Sequence, residues 1–162
     1  LAIIKKVIPV LKENFPEFQF KFFLTIDRNE FGITESHPLN ENIEFLGKVA
    51  IKQCPNLYSQ CDFLFLPTLL ECFSASYCEA MFMKKPILTS DLSFATGICG
   101  NAAYYFDPID AEDIANKIVD LASNISLQKQ LIENGSKQLK TFDTAKVRAQ
   151  KYLQIITSKD AN

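Results

Sequence analysis

Between Ile43 and Ser90 short apolar runs alternate with longer mixed segments, and this order constrains the fold more than any single motif. The runs IEFLG, DFLFLP and PILTS have strand length and are rich in β-branched, aromatic and leucine residues. The segments between them, about Ala50 to Gln60 and about Ser74 to Met83, have helix length. A β-α-β-α-β order predicts a parallel sheet covered by helices on both faces.

The flanking segments extend the pattern. FQFKFFLTI, Phe18 to Ile26, reads as a further buried strand. The expected core strands are therefore Phe20 to Ile26, Ile43 to Leu46, Phe63 to Leu66 and Ile87 to Thr89, parallel in one sheet. Ahead of them, Leu1, Ile4, Val7 or Ile8, and Leu11 form a helical stripe that Pro16 ends, with Pro9 either kinking it or opening a fresh first turn. The lack of an initiator Met and the apolar start suggest a chain that begins inside a fold. Downstream come the apolar segment AAYYF and a helix opened by Asp110 and Asp113, with Ile114, Ile118 and Leu121 on one face. Two helices, about Leu127 to Leu139 and Asp143 to Thr157, follow. Asp27 to Asn42 reads as an exposed loop carrying the single histidine, His37, as a plain surface residue. Without repeats or linkers, residues 1–162 read as one domain.

Composition removes several function classes. A net charge of −2 and a pI near 5.5 leave no electrostatic footprint for nucleic acid or an anionic membrane. The longest apolar run, FLFLPTLL, is broken by Pro67 and falls far short of the roughly 20 residues of a membrane span. No signal peptide is evident. Cys54, Cys61, Cys72, Cys78 and Cys99 show no C-x-x-C spacing, so they are expected to be reduced core residues of a cytoplasmic protein. No D-x-D or His/Asp cluster implies a metal.

LLECFSASYCEAMFMKKPIL, Leu69 to Leu88, sets Glu71 and Glu79 among apolar and small residues, where an unsatisfied carboxylate is costly. In a doubly wound sheet ligands bind beyond the carboxyl ends of the strands, which is where Glu71 falls. Ser74 and Ser76 are expected to cap the next helix, whose free N–H groups suit an anion such as a diphosphate. Glu79 would lie roughly 7.5 Å further along the axis, sharing a face with Ala75, Ser76, Phe82 and Met83. Two readings stand: an exposed acid and a helix-dipole charge, or two carboxylates satisfied by ligand hydroxyls.

The E-x7-E pattern of ECFSASYCE, with EAM and the lysine-proline strand start, resembles the nucleotide-binding half of retaining GT-B-fold glycosyltransferases (group 1, family 4-like). IEFLGKV, YSQCDFLFLPTLLE, TSDLSFATGICGNAAYYFDPIDAEDIA and FDTAKVRAQKYLQI resemble other segments of that half, so the likeness runs from about residue 18 to 157. It implies a Rossmann-like doubly wound parallel sheet lacking its first strand. It also implies a nucleotide-sugar donor as substrate, with no cofactor. Glu71 would be the catalytic carboxylate against the donor sugar, and Glu79 would hold the ribose diol. The backbone of Phe73, Ser74 and Ala75 would approach the diphosphate or sugar, with Val49 and Lys48 beside the base.

The chain departs from the family pattern at Cys72 and Ser74, where glycines are usual, at Lys84, another frequent glycine, and at Gly97, often acidic. The family's upstream arginine and lysine have no match, and neither does an N-terminal acceptor-binding domain. The resemblance thus implies a piece of a protein about twice as long or more, acting in polysaccharide, lipopolysaccharide or glycoconjugate synthesis. The missing domain could attach it to the inner membrane. Rival readings are a non-catalytic GT-B binding module, a GT-B sugar-nucleotide epimerase and a glycosidase-like carboxylate pair.

Overall fold

A computed structural model describes residues 1–159, and every strand pairing in it is parallel. The order is α1 (Ile4–Asn14), β1 (Phe22–Leu24), α2 (Arg28–Phe31), β2 (Ile43–Phe45), α3 (Cys54–Gln60), β3 (Leu64–Leu66), α4 (Ala75–Phe82), β4 (Ile87–Ser90), α5 (Ser93–Cys99), β5 (Ala103–Phe106), α6 (Ala111–Ser123), α7 (Ile125–Leu139) and α8 (Ala145–Lys159). The expected single sheet is instead two. β1 pairs with β2, and β3-β4-β5 form a second ladder, with no backbone pairing between β1 and β3 among the described residues.

Side chains bridge that seam. The rings of Phe22 and Phe65 stand 5.4 Å apart, centroid to centroid. Two neighbouring rows of α1 serve both sides. Val7 and Leu11 join Leu88, Phe106, Ile114, Ile118 and Leu121 in one core, while Ile4 and Ile8 pack with Leu24, Phe31, Ile33, Leu39 and Ile43 in another. Pro9 lies inside α1 on its exposed side, so the helix continues through it.

β4 is buried along its whole length because both its faces are covered. Leu88 enters the core shared with α1 and α6, and Ile87 enters a second core with Tyr77, Ala80 and Met81 of α4 and Ala95, Ile98 and Cys99 of α5. Alternate residues of a strand face opposite sides, so one short strand serves two cores. AAYYF forms β5, which closes this ladder. Asp110 caps α6 as expected, its Oδ1 accepting the N–H groups of Glu112 and Asp113 at 2.9 and 3.1 Å.

Three expectations are corrected. Asp27 to Asn42 is not simply an exposed loop: Phe31, Ile33 and Leu39 are buried beneath β1 and β2, and His37 Nδ1 accepts the Leu39 N–H at 3.2 Å. The helix α5 had no sequence signal, being seven residues long without a side-chain cap. Of the cysteines only Cys99 is a core residue, while Cys72 is exposed; all five are free thiols. Burial pushes the Cys99 thiol up to about 12.

Candidate functional site at the carboxyl edge of the strands

Because the strands are parallel, the loops after β2 and β3 leave from the same kind of strand end. The loop after β2 carries Lys48, exposed, and Val49, half-buried. It turns at Gly47, whose φ of +62° lies in the left-handed region; an added Cβ would come 3.0 Å from Asp27 Oδ1. The loop after β3 carries Glu71, half-buried, and Phe73, whose exposed ring meets Phe142 edge-on at 6.1 Å.

Three hydroxyl and carbonyl groups fix α4 to these strand ends. Thr89 donates its hydroxyl to the carbonyl of Leu66 at 2.9 Å, so its oxygen must accept from the Tyr77 hydroxyl, also at 2.9 Å. A tyrosine buried in a helix stripe requires such a partner. The pair ties α4 to the last residues of β3 and β4, where the Glu71 loop departs. Burial holds the Tyr77 phenol above its ordinary value, and the negative charge of Glu71 adds to the rise.

Ser74 is the N-cap residue of α4, as expected by position, but neither it nor Ser76 caps by side chain: no side-chain bond closes the helix start. Ser76 lies within the helix. Among the described residues the first-turn N–H groups of α4 have no side-chain partner, and that of Tyr77 reaches the Ser74 carbonyl at 3.3 Å. Glu79 stands on the solvent side, and its neighbour Phe82 is 74% exposed. This corrects the expectation of a core-like setting for Glu79, while Glu71 is half-buried. The α4 stripe that is buried is Tyr77, Ala80 and Met81, and Glu79 falls outside it.

Among the described residues Glu79 has one side-chain partner, which no sequence pattern singles out. The Tyr58 hydroxyl of α3 donates to Glu79 Oε2 at 3.1 Å. Burial first, then the charge of Glu79, push the Tyr58 phenol far above its ordinary value, so it stays a neutral donor.

Two surface clefts lie elsewhere. One of about 840 Å³ is lined by residues including Phe18, Phe20, Phe23, Asn42 and Asp62, and one of about 500 Å³ by residues including Asp27, Arg28, Glu30, Ile33 and Glu35. Neither includes Glu71 or Glu79, which stand on an open edge. Among the described residues no cluster of three or more metal-ligating side chains occurs, and no helix is long and apolar enough to cross a membrane.

Known proteins resemble this chain in sequence or in fold. An uncharacterized glycosyltransferase of Methanocaldococcus jannaschii is 26% identical over 147 residues, which cover 88% of this chain and 42% of that protein. Among solved structures, sucrose-phosphate synthase from Thermosynechococcus elongatus superposes with a TM-score of 0.78 at 17% identity, covering 99% of this chain and 42% of its own. HepE of Anabaena, solved in complex with UDP and glucose, gives 0.65 at 21% identity over 74% of this chain and 33% of its own. The chain thus spans well under half the length of these proteins, and it shares the α/β GT-B fold of the solved ones. With residues 4–138 matching the model of the glycosyl transferases group 1, the chain belongs to that family.

Proposed function

We propose that this chain is the donor-binding half of a retaining glycosyltransferase, its single domain working with an acceptor-binding domain in a longer polypeptide. The observation that carries the reading is the uncapped start of α4 between two carboxylates, Glu71 on the preceding loop and Glu79 one turn in. The free N–H groups of Phe73, Ser74 and Ala75 and the helix dipole suit a diphosphate. Glu79 takes the ribose diol, Lys48 and Val49 flank the base, and Glu71 meets the hydroxyls of the donor sugar. The UDP and glucose held by the Anabaena structure support a nucleotide-sugar donor. The open edge fits a site whose other wall belongs to the acceptor half.

In transfer, the bond from the anomeric carbon to the diphosphate breaks, a bond to an acceptor hydroxyl oxygen forms on the same face of the sugar, and the hydroxyl's proton passes to the departing diphosphate. Positive charge grows on the sugar and negative charge on the departing diphosphate. Glu71 opposes the first and the α4 terminus the second, by preorganised electrostatics and positioning. No metal or cofactor enters this reading. The free thiols of all five cysteines support a reducing, cytoplasmic setting, with synthesis of a polysaccharide or glycoconjugate as the outcome.

The test is steady-state kinetics of the whole protein with Glu71→Gln and Glu79→Gln, alongside titration with the nucleoside diphosphate alone. Glu71→Gln lowers kcat by something on the order of 10²-fold while diphosphate binding holds. Glu79→Gln raises KM by the roughly 1–3 kcal/mol of a charge-assisted hydrogen bond and leaves kcat near the parent value. Equal losses of diphosphate affinity in the two variants refute these roles. The exposed edge and the departures at Cys72, Ser74, Lys84 and Gly97 favour one other reading, a non-catalytic module; sugar transfer by the whole protein excludes it.

A further inference from the structure

Tyr58 sits where two parts of the proposed donor site meet. Its half-buried ring packs against the core of Tyr77, Ala80 and Met81, which restrains the side chain. Its hydroxyl emerges 3.1 Å from Glu79 Oε2 and 3.4 Å from the carbonyl of Ser76. A phenol has one hydrogen to give, and the charged, nearer oxygen takes it. Glu79 itself is exposed, and no other side chain among the described residues bonds to its carboxylate.

An exposed glutamate samples several rotamers, and a ligand that needs one of them loses affinity to the ordering of the rest. A carboxylate offers about four acceptor positions. The Tyr58 bond uses one, and a cis-diol needs two, so the tyrosine can hold Glu79 without competing with the ligand. α3 also follows directly from the loop of Lys48 and Val49, through a turn at Ile51–Gln53 in which Gln53 Oε1 accepts the Ala50 N–H at 3.2 Å. The same hydroxyl therefore joins the base-side loop to the ribose-side helix.

We infer that Tyr58 is a positioning residue for Glu79: it orders the carboxylate before the nucleotide arrives and so sets how strongly the site distinguishes a ribose from a sugar lacking its 2′- and 3′-hydroxyls. The inference rests on the donor-site reading given above.

The test is calorimetric titration of the whole protein and of its Tyr58→Phe, Glu79→Gln and doubly substituted variants. The probes are UDP, GDP and ADP and their 2′,3′-dideoxy counterparts. Tyr58→Phe keeps the packed ring and removes only the donor. It is expected to weaken the preferred ribonucleoside diphosphate about three- to tenfold, the range of one hydrogen bond, and to leave the dideoxy form unchanged. Donor KM rises by the same factor while kcat holds. In the Glu79→Gln background, where a neutral amide oxygen is left to accept the phenol, the tyrosine change has a smaller effect. Equal weakening of both forms, or none, overturns the inference, because a purely structural tyrosine would not read the hydroxyls. If Glu79→Gln removes the discrimination and Tyr58→Phe does not, only the role of Tyr58 fails. If Glu79→Gln itself leaves the discrimination intact, the donor-site reading fails with it.

Discussion

β4 and β1 are short parallel strands of similar apolar composition, ILTS and FFL, yet their settings differ sharply. Every residue of β4 is buried between two helical layers, whereas in β1 only Leu24 is buried and Phe23 is 42% exposed. β4 has a ladder on each side; β1 has one, to β2. The carboxylates of the proposed site thus stand on elements fixed to the deeply cored unit, through Tyr77 and Thr89, while the base-side loop hangs from the thinner one. Under the proposed donor-site reading, the unit assigned to hold charge during sugar transfer is the better anchored.

The largest expected effect tests this contrast directly. Leu88→Ala removes a fully buried side chain from the middle of β4 and should cost about 3–5 kcal/mol in urea unfolding. Phe23→Ala in β1 should cost less than about 1 kcal/mol, since much of that ring already meets water. Equal costs would erase the distinction between the units.

A middle-sized effect probes the anchor of α4. Thr89→Val leaves the Tyr77 hydroxyl and the Leu66 carbonyl without their partner inside the core, a loss of about 2–3 kcal/mol. Tyr77→Phe removes one donor and strands nothing, because Thr89 keeps its bond to Leu66, so about 1 kcal/mol is expected. The order of the two costs, read from the same unfolding curves, carries the test, and its reversal would mean that Thr89 is not the centre of the relay.

The smallest effect has the opposite sign. α4 ends with Lys85 N–H on the Ala80 carbonyl at 2.8 Å and Lys84 N–H on that of Met81 at 3.2 Å, the paired bonds of a Schellman ending. That ending places Lys84 at φ +54°, a conformation glycine adopts without steric cost. Lys84→Gly should raise stability by about 0.5–1 kcal/mol in thermal unfolding. Destabilisation would show that the lysine side chain contributes more than its backbone conformation costs.

Strand–helix alternation was legible because it rests on patterns local to a dozen residues: IEFLG, DFLFLP and PILTS fall where β2, β3 and β4 form. The seam between β1 and β3 was not, since pairing depends on which strands become neighbours and no residue of FQFKFFLTI encodes that. Glu71 and Glu79 could be singled out from spacing, but the exposure of Glu79 could not: Phe82 and Ala75 read as a buried face until Tyr77, Ala80 and Met81 take the buried positions. Tyr58 was invisible for a related reason, as it lies 21 residues from the carboxylate it holds. Ser74 occupies the cap position without capping, because residue type gives a preference and the local rotamer decides.

The seam also bears on how the molecule opens. Moving β1 and β2 away from β3 breaks no backbone hydrogen bond between the ladders; it separates the Phe22–Phe65 ring contact and unseats one side of α1. Within β3-β4-β5, by contrast, any parting of strands breaks a ladder. In terms of cooperative unfolding units the two ladders are expected to act as distinct foldons sharing one helix, with native-state hydrogen exchange showing β1 and β2 amides opening before those of the strands that carry α4.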